Sequence, residues 1–248
     1  KYVVNAGVTM GVLFQTWYQF EDQIKNISLD IPESDNQIPD FFFFFFWELD
    51  WLFSMQAPDG RVYHKLSMLN FGGFEMPEEQ TKKRYFTPWS SAATADFVAM
   101  MAMAARFLEP YDAEYAQRCL AAAEKSYAYL QDHPEDHRAN LQGFSTGAYQ
   151  TGDRDDRLWA AAEMWETTGK KEYLQDFETR AEAFGTKVED VWDWGSVRNL
   201  GMFTYLLSER SGKKEDVVSD IKQDLIASAD RLVRNADRHG YSRPLGTN

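Results

Sequence analysis

Ahead of a strongly helical stretch the chain reads Thr151-Gly152-Asp153-Arg154-Asp155-Asp156, three carboxylates and several backbone carbonyls in one compact turn. Calcium takes hard oxygen ligands of this kind, six to eight of them at about 2.3–2.6 Å. Acidic capping of the following helix explains the same residues without a metal, and Arg154 and Arg157 stand ready to neutralise them. His64, in Tyr63-His64-Lys65, carries an imidazole that donates one hydrogen bond and accepts another when neutral. Tyr149, Trp192 and Trp194 fall in long loops, where rings can form platforms for flat ligands or pack as scaffold, and the residues leave both readings open. Glu75 and Asp96 read as ordinary loop and helix acids. The single cysteine, Cys119, excludes an internal disulfide and any multi-cysteine metal centre.

Helices must position these groups. Over 92–108, Ala93, Phe97, Met101, Ala104 and Leu108 recur at three- and four-residue steps, with Ser90 or Ser91 suited to the N-cap and Pro110 to the stop. A second helix from about Asp112 carries Tyr115, Cys119, Leu120, Ala123, Tyr127 and Leu130 on one side and ends before His133-Pro134, making a helical hairpin. Two further hairpins are predicted, 157–168 with 171–184 and 197–208 with 213–238, turning at Gly169 and Gly212. Their turns echo each other, Thr168-Gly169-Lys170-Lys171-Glu172 against Ser211-Gly212-Lys213-Lys214-Glu215. With helices at 2–20 and 39–56 the count is eight, in four sequential pairs. Unequal spacing of the turns favours a closed toroid of hairpins over a regular solenoid. One extended region interrupts the pattern, a turn at Ala57-Pro58-Asp59-Gly60 followed by a short strand over 61–66.

Composition narrows the function classes. The 248 residues are 44% hydrophobic and 26% charged, enough for one large core. The longest apolar run, 41–47, falls well below the ~20 residues of a helical membrane span, so no membrane role is expected. Thirty-nine acidic against 26 basic residues give a net charge of -13, which repels polyanions and makes nucleic acid a poor partner. Lys1-Tyr2-Val3-Val4 shows no secretory leader pattern, so the sequence is expected either to be a mature form or to lack its start. Six consecutive phenylalanines at 41–46 would surround more than a turn of helix. Either that helix is fully enclosed or, the reading favoured here, the letters stand for residues that were not identified.

Several runs resemble glycoside hydrolase family 9: Lys1-Tyr2-Val3-Val4-Asn5-Ala6-Gly7-Val8-Thr9-Met10-Gly11, Trp47-Glu48-Leu49-Asp50-Trp51-Leu52-Phe53-Ser54-Met55-Gln56, Tyr63-His64-Lys65, Ala92-Ala93-Thr94-Ala95-Asp96-Phe97, Ser145-Thr146-Gly147-Ala148-Tyr149, Asp155-Asp156-Arg157-Leu158-Trp159-Ala160-Ala161 and Trp194-Gly195-Ser196-Val197. The likeness is greatest to the bacterial branch with an N-terminal immunoglobulin-like module. It implies an all-α fold, an (α/α)6 toroid with about four of its six hairpins present, residues 1–248 being part of a single catalytic domain. It also implies inverting hydrolysis of β-1,4-glucan, a β-glucan polysaccharide or oligosaccharide as the partner, and a secreted or periplasmic location. By the same resemblance His64 contacts the sugar at the cleavage point, while Tyr149, Trp192 and Trp194 are candidate substrate contacts from their place in long loops, where ring platforms for glucosyl units are expected. Thr151, Gly152, Asp155 and Asp156, with Asp193, match a structural calcium site, and no organic cofactor is expected. The family's base precedes the position of Lys1 and its acid follows that of Asn248, so no carboxylate in these residues is assigned to catalysis. The competing reading is a non-catalytic hairpin scaffold that binds a carbohydrate or protein partner.

Overall fold

The computed structural model describes residues 1–34 and 37–245. Residues 246–248, which the resemblance places on the approach to the acid, lie outside the described residues. Eight helices follow one another among those described: α1 (Val3–Ile24), α2 (Phe43–Met55), α3 (Ser91–Leu108), α4 (Ala113–Asp132), α5 (Arg154–Thr168), α6 (Lys171–Phe184), α7 (Arg198–Leu207) and α8 (Glu215–Arg238). They form two layers. The odd-numbered helices lie side by side, α3 between α1 and α5, and α5 between α3 and α7, while α4 and α6 pack outside α3 and α5.

Residue types sort the helices into these layers. In α3 alanine fills positions 92, 93, 95, 99, 102, 104 and 105, and nearly every residue of the helix is buried. Such a helix can touch neighbours on all sides. It is the one described helix long and apolar enough to cross a membrane, and its surface is spent on the core instead. By contrast α4 buries a single stripe, Tyr115, Cys119, Ala122, Ala123, Ser126, Tyr127 and Leu130, the pattern of an outer helix with one wet face. The inner helices approach closely at glycine. A β-carbon at Gly11 would sit 2.4 Å from Leu200 and 2.9 Å from the Trp159 ring, so α1, α5 and α7 meet there only because the side chain is absent.

The predicted ends hold with small shifts. Ser90 caps α3 by accepting from the Ala93 N–H, and Asp112 caps α4 by accepting from Tyr115. Gly169 ends α5 at φ +70° and Gly212 turns at φ +98°, the left-handed backbone both turns require. Helix α1 runs past its expected end to Ile24, across a break at Phe20.

One expectation needs correction, and one of the two readings of the phenylalanine run is excluded. The strand over 61–66 is not continuous: Val62 bridges Gln56, Tyr63 bridges Trp89 and Lys65 bridges Tyr2, and only Leu66–Ser67 (β1) pairs with Tyr85–Phe86 (β2). Each residue finds a different partner, so no regular ladder forms. Nor is the phenylalanine helix fully enclosed. Phe42 and Phe45 pack on Trp17 and Phe14, while Phe44 is 65% and Trp47 81% exposed.

Candidate functional site

Alternate helices run the same way, so the inner four all begin at one end of the bundle, and the segment before each reaches that end. Lys65 bridges Tyr2 at the start of α1. His64 contacts Ser90 at the start of α3. Asp155, in the first turn of α5, accepts the Val197 N–H at the start of α7 at 2.7 Å.

Three rings meet here. Tyr149 lies 4.6 Å from Tyr2, tilted by 60°, and 5.0 Å from Trp194, edge to face at 81°. Beside them opens a cleft of about 400 Å³ whose lining includes Tyr2, Trp51, Phe71, Ser67, Gln80 and Arg84. Rings with polar groups between them suit a ligand that has both apolar faces and hydroxyls. No lining residue of this cleft is a carboxylate.

His64 is not at the cleft surface. It is 1% exposed, with Nδ1 2.9 Å from Ser90 Oγ and Nε2 2.7 Å from the Ala148 carbonyl. A carbonyl only accepts, so Nε2 carries the proton and Nδ1 accepts from the serine hydroxyl. Burial holds the imidazole pKa down, which keeps the ring neutral. Both nitrogens are engaged by protein groups, and the residue ties the loop before Tyr149 to the cap of α3. Trp192 is placed elsewhere. It lines a separate cavity of about 190 Å³ with Val12, Thr16, Leu200 and Phe203, apart from the Tyr149–Trp194 pair.

The acidic turn divides into three environments. Asp153 is neutralised by Arg157 at 2.6 Å, and that buried guanidinium also donates to the carbonyls of Leu130 and His133. Asp155 faces the 193–197 segment, where the Thr151 hydroxyl donates to the Gly195 carbonyl and Asp193 accepts the Gly195 N–H. Thr151, Asp155 and Asp193 are thus drawn to one junction, with Gly152 next in the chain. Burial raises the Asp155 carboxyl pKa, a condition that favours a cation partner. Among the described residues no three carboxylates, imidazoles or thiolates converge as a metal cluster, so carbonyl and hydroxyl oxygens would have to complete a calcium shell. Asp156 makes none of these contacts. It is buried against Asp96, and apart from one another the two carboxyls have no hydrogen-bond partner. Both are held well above the carboxylate range, by burial first, with the charge of Asp155 adding to it at Asp96 and the charges of Asp96 and Asp155 adding to it at Asp156. Glu75, on an exposed loop, pairs with Lys82.

Tyr2, Trp51 and Phe71 were not singled out in the sequence as site residues. The period of α2 places Trp51 on a helix face but cannot say that the face borders a cleft, and Phe71 lies in a loop without periodicity.

Comparison with known proteins agrees with this architecture. Endoglucanase D of Acetivibrio thermocellus is 57% identical over 250 residues, which cover 100% of this chain and 40% of that protein. A xyloglucan-specific endo-beta-1,4-glucanase of Bacteroides ovatus is 34% identical, covering 99% of this chain and 44% of the relative. Among solved structures, the endoglucanase J30 superposes with a TM-score of 0.91 at 32% identity over 99% of this chain and 47% of its own. The chain thus spans less than half the length of the relatives it matches. Its four hairpins are those of an (α/α)6 toroid. A family model described as Glycosyl hydrolase family 9 matches residues 1–244, and with inner helices, turns and aromatic loops in matching order the chain belongs to that family.

Proposed function

We propose that this chain supplies the substrate-cradling part of an enzyme that hydrolyses β-1,4-glucosidic bonds in cellulose or a related β-glucan, with inversion at the anomeric carbon. The observation that carries this reading is the cleft at the start of the inner helices, where Tyr2, Trp51 and Phe71 offer faces for glucosyl rings and Ser67, Gln80 and Arg84 offer partners for hydroxyls. Inverting hydrolysis needs a general acid and a general base about 6.5–9.5 Å apart, with room for water. No acid lines the cleft, so in this reading the present residues bind and orient the sugar while the two carboxylates belong to other parts of the protein. The relatives named as endoglucanases support the reaction class, and the xyloglucan-specific one supports a β-glucan substrate more broadly than cellulose.

Residues 1–248 are part of a single catalytic domain on this reading, acting outside the cytoplasm, secreted or periplasmic. A calcium ion forms part of the proposal as a structural element. Carbonyls of Thr151 and Gly152 with carboxylates of Asp155, Asp156 and Asp193 would hold it, and the ion would supply charge to a junction of two loops.

Titrating the purified 248-residue chain with cello-oligosaccharide should quench tryptophan fluorescence, while carboxymethylcellulose incubated with it should release no reducing sugar. Reducing-sugar release would overturn the division between binding and catalysis. Failure to bind any β-glucan oligosaccharide would overturn the binding reading and leave the scaffold role.

A further inference from the structure

We infer that Lys65 is a positioning residue, which sets the Tyr149 ring against Tyr2 beside the cleft by gripping the two residues that lead into it; the sugar-binding part of this inference rests on the reading above. Lys65 is fully buried and has no carboxylate partner among the described residues. Its ammonium contacts the Thr146 carbonyl at 3.2 Å, the Thr146 hydroxyl at 2.9 Å and the Gly147 carbonyl at 2.7 Å, so all three donors fall on two consecutive residues. The rings of Tyr2 and Phe144 close around it at 5.5 and 5.3 Å. Holding an ammonium out of water is costly, and desolvation pulls its pKa down.

What the grip achieves is visible two residues on. Tyr149 has φ +46°, left-handed backbone that a tyrosine keeps only where its surroundings fix it. His64 holds the intervening Ala148 carbonyl, so residues 146, 147 and 148 are each anchored from the 64–65 segment. Gly147 is part of the arrangement, because a β-carbon there would lie 2.5 Å from the Tyr149 ring. With the backbone so fixed, that ring is delivered between Tyr2 and Trp194.

The test compares wild type with Lys65→Met in the 248-residue chain, each with Tyr149 present and with Tyr149→Ala. Amide exchange of residues 144–149 should rise about tenfold in Lys65→Met while amides inside α3 keep their protection. The near-ultraviolet circular dichroism of the Tyr149–Trp194 contact should weaken. Affinity for cellotetraose should fall roughly fivefold when Tyr149 is present and less than about twofold when it is absent, since the lysine acts through the ring. Unchanged exchange at 144–149, or an equal affinity loss in both backgrounds, would overturn the inference. If the wild type binds no cellotetraose, the reading under Proposed function fails, while exchange and circular dichroism still decide whether Lys65 sets Tyr149. Should Lys65→Met not fold, Thr146→Val removes one acceptor of the three and carries the same readouts.

Discussion

At the scale of single residues, His64 stands buried between Ser90 and the Ala148 carbonyl, both of its ring nitrogens engaged. Its folded-state pKa lies below the ordinary 6.5 because burial disfavours the imidazolium. The folded protein therefore binds fewer protons than the unfolded chain in acid. The stabilisation is complete above the unfolded value and is lost as pH falls through the folded one. Urea midpoints between about pH 7 and about pH 5 should fall more steeply for wild type than for His64→Gln; parallel slopes would show that the histidine does not carry the acid sensitivity. The histidine itself was legible in the sequence, and so were Tyr149 and Trp194, whose rings the fold brings together. Their companions were not. Tyr2 meets Tyr149 across 147 positions, and Lys65 grips Thr146 across 81, contacts that exist only once the inner helices have aligned. Trp192, two residues from Trp194, was grouped with it by loop membership and goes instead to α1 and α7.

At the scale of elements, helix α2 gives a direct test of burial against composition. Phe45 is buried on Phe14, so Phe45→Ala should cost about 3–5 kcal/mol in urea unfolding. Phe44 is largely exposed, and Phe44→Lys should stay within about 0.5 kcal/mol of wild type. Equal costs would mean that the helix is enclosed after all. The helices could be read in the sequence because an outer one such as α4 buries a stripe while α3 and α5 are buried nearly all round. The extended region could not, because its bridges are made one residue at a time to three different partners. The acidic turn at the start of α5 was read as one cluster, and the fold separates it into an ion pair at Asp153, a loop junction at Asp155 and a core pair at Asp156. If the junction holds calcium, a chelator should lower the melting temperature of wild type and leave Asp155→Ala unmoved. Equal melting with and without chelator, and no calcium by elemental analysis, would leave Asp155 as a backbone acceptor for Val197 alone.

At the scale of the whole molecule, the inner helices are tied a second time, towards their C-terminal halves. Glu163 of α5 is fully buried and accepts from Arg106 of α3 at 2.8 Å, from Trp159 at 3.0 Å and from Thr204 of α7, which in turn accepts from Gln15 of α1. One carboxylate thereby joins all four inner helices. Its removal leaves a guanidinium, an indole N–H and a hydroxyl without their partner, so Glu163→Ala should lower the unfolding free energy by about 3–5 kcal/mol. Glu124→Ala, which breaks only the exposed pair with Lys170, should cost less than about 1 kcal/mol. Similar losses in the two variants would deny Glu163 its linking role. The shared direction of the inner helices has an electrical result as well. Each peptide dipole in them points the same way, and each helix start carries roughly half a positive charge, so four such poles face the end where the cleft lies. These poles run counter to the overall net charge of -13. An electron-rich oxygen brought to that mouth meets these poles together with the guanidinium of Arg84, which lines the cleft.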